Sequence, residues 1–278
     1  MKTLYVTDMD GTLLRPDSRV SYQSSSIISD LSNQGALITV ATARTPATVE
    51  PLLRGTHLNA PAIVMTGAAL YNREDNIYSH VNFFPSNHLT TVLEICHGLG
   101  FFPFVYVLAQ DGKLDVYHGG KGLNKHEDAF YLERCRLKLK RFHLSELAPA
   151  RAKNATILLF AMSERTAIEK AAAQLKEHTD CAISCYPDIF NPEVALLEIF
   201  APGVSKAIAV EKMKARTGAE KLVVFGDNLN DLPMFKIADV AVAVENALPE
   251  VKAAADIVIE PNYTDSVARF MASDFHSK

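Results

Sequence analysis

Asp8-Met9-Asp10-Gly11-Thr12-Leu13-Leu14 follows directly on a short apolar and β-branched run, residues 4–7, which reads as a buried strand. Two aspartates two residues apart at a strand end turn toward one point only if the backbone twists, and Gly11 permits that twist. Like charges held together are costly, so the pair calls for a cation or a shared proton. Asp-x-Asp alone reads as an ordinary turn from strand to helix. With Gly-Thr added after an N-terminal strand, the four fixed positions would arise by chance in roughly one chain in several hundred at average residue usage.

Outward from this loop the chain alternates strand and helix. Residues 21–34 carry Ile27, Ile28 and Leu31 at helical spacing, and Gly35 stands as the stop beyond them. Residues 37–41 predict a second strand, Thr45-Pro46 opens a helix with Val49, Leu52 and Leu53 as its apolar stripe, and 62–65 predict a third strand. The last quarter repeats the rhythm. Ser205 caps a helix running to about Arg216, 222–225 is a strand, and Asn230 caps a short helix that tolerates Pro233 in its first turn. Strands at 240–244 and 257–259 flank a helix at 249–255, and Thr264 caps a final helix. Continuously apolar strands between helices predict an α/β fold, a doubly wound parallel Rossmann-like sheet covered on both faces.

The middle of the chain breaks this pattern. Residues 101–108 and 113–118 form a hairpin pattern around Asp111-Gly112, followed by a helix-like stretch at 127–137. A strand at 155–162, a helix at 164–178 and strands at 181–186 and 195–200 complete an antiparallel sheet with helices on one side. The reading is an inserted α+β domain over 82–200, with 1–81 and 201–278 as the two parts of the core. The basic stretch Arg136 to Arg141 reads as a solvated helix end or loop.

Composition narrows the function classes. The chain has 278 residues, 48% hydrophobic and 22% charged, enough for a sizeable core and unlike a disordered chain. Lysine plus arginine total 28 against 32 acidic residues, a net charge of −4, so no basic excess favours nucleic-acid binding. The longest apolar stretches fall short of the ~18 residues of a membrane span, and the apolar start is too short for a signal peptide. Cys96, Cys135, Cys181 and Cys185 form no Cys-x-x-Cys pair and read as reduced, buried thiols, which fits a cytoplasmic protein. The nine histidines are scattered and none is assigned to a metal.

Three further features lie at predicted strand or helix ends. Gly226-Asp227-Asn228-Leu229-Asn230-Asp231 places more carboxylates after the strand at 222–225. Taken alone it reads as a loop and cap; paired with Asp8 and Asp10 it becomes a metal site whose hard oxygen ligands suit Mg²⁺. Thr42, at the end of the second strand, offers a hydroxyl and following N–H groups to an oxyanion. Lys206, just past the cap at Ser205, opposes the helix dipole unless an anion sits there.

These residues, in the order Asp, Thr, Lys, Asp, resemble the four motifs of the haloacid dehalogenase superfamily, over about 1–81 and 201–278. The placement of 82–200, and the stretch from Ala238 to Asp256, resemble its Cof-type sugar-phosphatase-like branch, which carries a large cap between the second and third motifs. The resemblance implies a phosphatase. Asp8 would be the nucleophile, forming an aspartyl-phosphate, and Asp10 the general acid and then base. Mg²⁺ would be held by the Asp8 carboxylate, the Asp10 backbone carbonyl and Asp227. Thr42, Lys206 and Asn230 would bind phosphoryl oxygens with the backbone of Met9 and Ala43, and Asp231 would orient Lys206 or a metal-bound water. Arg44 is a supporting residue, either touching substrate or pairing with core carboxylates. Family members commonly read Thr-Gly-Arg where this chain has Thr42-Ala43-Arg44, a Met/Gly-Asn pair where it has Glu245-Asn246, and an acidic pair at Tyr263-Thr264. The expected partner is a small phosphorylated metabolite, a sugar phosphate in the leading reading, with no nucleic acid, membrane or protein partner. A phosphomutase using the same aspartyl-phosphate, and a non-catalytic metabolite-binding module, are the alternatives.

Overall fold

Strands that are apolar on both faces must be covered on both faces, and β1 (Thr3–Thr7) is buried along its whole length. The computed structural model describes residues 2–120, 122–136, 140–144, 155–188 and 191–277. The chain divides into two units: Met1–Ser79 with Ser205–Lys278, and His80–Val204. The breaks lie two and four residues from the 81/82 and 200/201 expected from the sequence.

In the first unit, β1 lies between β2 (Leu37–Val40) and β12 (Lys221–Gly226), parallel to both. β13 (Val240–Val244) and β14 (Ile257–Ile259) extend the sheet, giving the order β14-β13-β12-β1-β2, all parallel. Crossovers on both faces make it doubly wound, the architecture read from the sequence. Leu4, Tyr5 and Val6 are wholly buried, and burial of each such apolar side chain contributes about 1.5–3 kcal/mol. β3 (Ala62–Val64) joins through a single parallel bridge, Ala41 to Ile63, and then turns into a local antiparallel hairpin with β4 (Ala69–Asn72) and β5 (Ile77–Ser79).

Helix ends follow the expected chemistry in two cases and depart from it in two. α1 (Tyr22–Asn33) begins where the Ser21 hydroxyl accepts the Ser24 N–H at 2.9 Å. The helix Lys206–Thr217 begins where the Ser205 hydroxyl accepts the Ile208 N–H at 3.1 Å. Asn230, however, caps nothing: Asn228 caps the turn Leu229–Asp231, and Asp231 shares the capping box. Thr264 sits inside the short turn Asn262–Thr264, and Asp265 stands at the cap of the last helix, Ser266–His276. Asp265 lies in left-handed backbone, and the hydroxyls of Ser21 and Ser24 donate to its carboxylate across the chain.

The second unit is a six-stranded sheet in the order β10-β11-β9-β6-β7-β8. Its strands are β6 (Phe104–Leu108), β7 (Leu114–His118), β8 (Arg141–Leu144), β9 (Thr156–Glu164), β10 (Ala182–Pro187) and β11 (Val194–Phe200). All neighbours are antiparallel except β7 and β8, which run parallel and depart from the all-antiparallel expectation. Helices Ser86–Gly98 and Arg165–His178 cover one face through Leu89, Val92, Leu93, Ile168 and Leu175. Helices do not keep to one side, because Phe130 of α4 (Lys125–Arg136), the fourth helix in chain order, packs on Phe104 and Phe160 of the opposite face. α4 also buries Glu127, whose Oε2 lies 4.0 Å from Nε2 of the buried His118.

Arg136 is an exposed helix end, as the sequence suggests, but the basic residues after it are not a solvated loop where they are described. Lys140 Nζ sits 4.9 Å from the Tyr106 ring centroid, and Arg141 opens β8 with its guanidinium on Asp111 and Asp115; residues 137–139 lie outside the described residues. Of the four cysteines, Cys96 and Cys181 are buried, Cys185 is half-buried, and Cys135 is exposed, against the reading of four buried thiols.

Candidate active site

Parallel strands of an open α/β sheet present their carboxyl ends on one edge, where the following loops gather. Asp8 leaves β1 with its N–H still bonded to the Phe225 carbonyl at 3.0 Å. The chain then folds into the tight turn Met9–Leu13, closed by Leu14 N–H on the Met9 carbonyl at 2.7 Å. Gly11 makes the turn possible, with φ +79°. A Cβ on it would lie 2.8 Å from Asp227 Cγ, so only glycine lets the turn lie against that carboxylate.

Lys206 joins the two acidic loops. Its Nζ donates to Asp8 Oδ1 at 2.5 Å and to Asp231 Oδ1 at 2.8 Å. The lysine side chain is 2% exposed and that of Asp231 0%, so the ammonium works out of water. Asp231 also accepts the N–H groups of Asp227 and Asn228 on Oδ2, at 3.1 and 3.2 Å. Asp227 is held from the other loop, since Thr12 Oγ1 donates to its Oδ1 at 2.8 Å. Gly67, at φ +93°, brings the loop after β3 against the residue preceding Lys206; a Cβ there would stand 2.7 Å from the Ser205 carbonyl carbon.

The second strand supplies Thr42, buried at its end. Its Oγ1 accepts the Arg44 N–H at 3.1 Å, leaving the hydroxyl proton for an outside acceptor. The carbonyls of Thr42 and Arg44 accept N–H groups from Thr66 and Met65, both in left-handed backbone, which pins this loop to the end of β3. Arg44 grips Asp10 with two bonds, Nε to Oδ2 at 2.7 Å and Nη2 to Oδ1 at 2.6 Å. This is the pairing with a core carboxylate, one of the two roles expected of Arg44. Met9 is buried in the turn, Ala43 is half-buried beside Thr42, and Asn230 is exposed on the turn Leu229–Asp231.

The electrostatics follow from burial. Asp8 is pushed up, chiefly by burial; Lys206 pulls it down, and the charges of Asp231 and Asp227 push it up again. Burial would lower Lys206, but the charges of Asp8 and Asp231 outweigh it and hold the ammonium protonated, above the usual lysine range. Asp227 is raised to about 6 by burial, against the Thr12 hydrogen bond. Carboxylate oxygens of Asp8, Asp227 and Asp231 lie within 4.8 Å of one another. Three carboxylates facing one ammonium leave the cluster short of positive charge, and an all-oxygen donor set of this size fits a hard divalent cation. The Asp10 carboxylate, turned to Arg44, is not in the cluster.

Sequence reasoning did not find Thr12 as the partner of Asp227, nor Asn246, whose Nδ2 donates to the Gly11 carbonyl at 2.7 Å. The Asn246 position was visible only as part of a departure from the family pattern.

A family model described as haloacid dehalogenase-like hydrolase matches residues 5–271. Among curated relatives, the 5-amino-6-(5-phospho-D-ribitylamino)uracil phosphatase YitU of Bacillus subtilis is 24% identical over 98% of this chain and 97% of its own. The pyridoxal phosphate phosphatase YbhA of Escherichia coli is 26% identical over 96% of both chains. Among solved structures, TM0651 from Thermotoga maritima superposes with a TM-score of 0.77 at 25% identity over 96% of both chains. The subclass IIB sugar phosphatase BT4131 gives 0.74 at 22% identity over 98% of both, a likeness of fold.

Proposed function

Because the chain belongs to the haloacid dehalogenase-like hydrolases, we propose that it is a Mg²⁺-dependent phosphatase that cleaves small phosphomonoesters, sugar phosphates foremost, through an aspartyl-phosphate on Asp8. One observation carries the reading. A buried aspartate at a strand end touches a buried lysine that a second aspartate holds in place, with a third carboxylate alongside. A binding module has no need of a nucleophile so placed. The full-length relatives carry phosphatase names, which supports the reaction class and leaves the substrate open.

Phosphoryl transfer asks mainly for positioning and for neutralised equatorial oxygens. In this reading an Asp8 carboxylate oxygen attacks phosphorus as the bond to the ester oxygen breaks. Asp10 gives the departing alkoxide its proton, then takes one from the water that hydrolyses the acyl phosphate. Lys206 faces a phosphoryl oxygen, and Thr42, the N–H groups of Met9 and Ala43, and Asn230 donate to the others. Arg44 holds the Asp10 carboxylate away from Asp8 until a phosphate enters, and Asp231 keeps Lys206 aimed. A divalent cation on the Asp8 and Asp227 carboxylates and the Asp10 carbonyl would neutralise phosphoryl charge.

Phosphate release from a panel of phosphomonoesters tests the proposal, with wild type, Asp8→Asn and wild type in EDTA run side by side. Release by wild type, absent in the variant and in chelator, is the expected result. A folded wild type that releases no phosphate from any ester in Mg²⁺ overturns it.

A further inference from the structure

The segment after β13, residues 245–248, touches both halves of the site. Asn246 Nδ2 donates to the Gly11 carbonyl at 2.7 Å, and the Leu248 N–H donates to the Asp227 carbonyl at 3.0 Å. The segment is itself fixed, by Ala247 N–H on the Val244 carbonyl at 2.9 Å and by Lys252 Nζ on the Glu245 carbonyl at 3.0 Å. One short connection therefore spans the turn that carries Asp8 and Asp10 and the loop that carries Asp227.

The orientation of the Asn246 amide is set by a second asparagine. Asn246 Oδ1 accepts the Asn262 N–H at 2.9 Å, so its NH₂ faces Gly11. Asn262 in turn donates Nδ2 to the Leu14 carbonyl at 2.6 Å. The two amides hold the turn at its middle and just past its end. Between those points lie Gly11 and Thr12, the two residues that locate the Asp227 carboxylate, one by close approach and one by a hydrogen bond. Asn246 is exposed, so its burial adds little to the core, and its hydrogen-bond partners are Gly11 and Asn262.

The geometry points to Asn246 as a positioning residue that presses the Gly11 peptide against Asp227 and so sets the spacing of the carboxylates that take the divalent cation. The inference rests on the metal reading of the site given above. A hard ion such as Mg²⁺ tolerates little change in ligand spacing, so a turn released from Asn246 would bind it more weakly while the fold stays intact.

Mn²⁺ is the probe, and its binding to metal-stripped full-length protein is read by electron paramagnetic resonance, apart from any turnover. Asn246→Ala is expected to bind Mn²⁺ about 3–10-fold more weakly, with an unchanged unfolding midpoint in EDTA; such a ratio corresponds to the loss of one modest hydrogen bond. Asn246→Asp separates positioning from charge. It keeps an acceptor for the Asn262 N–H, loses the donor to Gly11, and adds a negative charge that by itself would tighten cation binding. Weaker binding by Asn246→Asp supports positioning; binding equal to or tighter than wild type overturns it. Asp227→Asn is the control. If that variant loses Mn²⁺ and both Asn246 variants bind as wild type does, the positioning inference alone fails. If wild type takes up no Mn²⁺, or Asp227→Asn binds it unchanged, the metal reading fails and the inference with it.

Discussion

Replacing Lys206 by methionine removes one charge from a place where two carboxylates depend on it. At 2.5 and 2.8 Å, with an effective dielectric of about 20, each contact carries a gross attraction of about 6 kcal/mol. Most of that offsets the desolvation of three buried ions, several kcal/mol apiece. The ledger changes when one partner is removed, because Asp8 and Asp231 stay buried and lose their cation. Breaking a buried pair in this way costs about 3–5 kcal/mol.

The pH dependence gives a second handle on the same variant. Wild-type Lys206 is raised above its ordinary value, so its contribution is fully present below the ordinary lysine range and is lost only as pH rises through the folded value. It is therefore constant between pH 5 and 8. In the variant, the carboxylates left without their cation hold at least one more proton in the folded state than in wild type. Folded groups that bind more protons than the unfolded chain lose stability as pH rises. The gap between wild type and Lys206→Met should thus widen by about 1.4 kcal/mol per pH unit. Urea unfolding followed by circular dichroism, in EDTA and phosphate-free buffer at pH 5, 6.5 and 8, measures it. Adding Asp231→Asn to the variant should recover at least about 1 kcal/mol, since one stranded charge is gone. A gap under about 1 kcal/mol at pH 8, or one that does not change with pH, would show that the lysine is not the counter-ion of these aspartates.

Two more outcomes follow from the geometry. Gly11→Ala places a Cβ against Asp227 at φ +79°; a strained backbone costing about 1–2 kcal/mol and at least a tenfold drop in kcat/KM are expected, and an unchanged phosphatase rate would contradict the close approach. Glu127 is raised by burial to about 7, so the stability it contributes is full below its unfolded value near 4.5 and is lost as pH rises through 7. Denaturation curves of wild type minus Glu127→Gln between pH 4.5 and 8 should show a slope amounting to about 3 kcal/mol, and parallel curves would refute the assignment.

What the sequence made legible was local. Each catalytic candidate follows an apolar strand or a helix cap, so Asp8, Thr42, Lys206 and Asp227 could be placed at the sheet's carboxyl edge by counting elements. What it concealed was mostly long-range. Thr12 meets Asp227, and Asn246 meets Gly11, across more than 200 residues, and no local pattern announces either bond. Asn230 and Thr264 were plausible caps by residue type, but Asn228 takes the first position through a local capping box with Asp231, and Asp265 takes the second, with its carboxylate bonded to Ser21 and Ser24 far away in the chain. The hairpin of β4 and β5 and the helix Ser86–Gly98 went unread, the first because its strands are only three or four residues long. The parallel β7–β8 pair follows a crossover through α4, and β8 is a strand that the sequence reading did not contain.

The pairing of β1 with β12 has a consequence for synthesis. Thr3 sits in register with Lys221, so β1, an interior strand of the first unit's sheet, waits for one of its two neighbours until about 220 more residues have been made. At ribosomal rates of about 5–20 residues per second, that is roughly 10–45 s. Through that interval β1 and β2 are a two-stranded apolar fragment with an open edge, the kind of surface that chaperones bind and that aggregates recruit. Asp8 is made before the second unit, while Lys206, Asp227 and Asp231 emerge after the whole of it. A nascent chain stalled inside residues 80–204 therefore carries Asp8 without Lys206, its counter-ion.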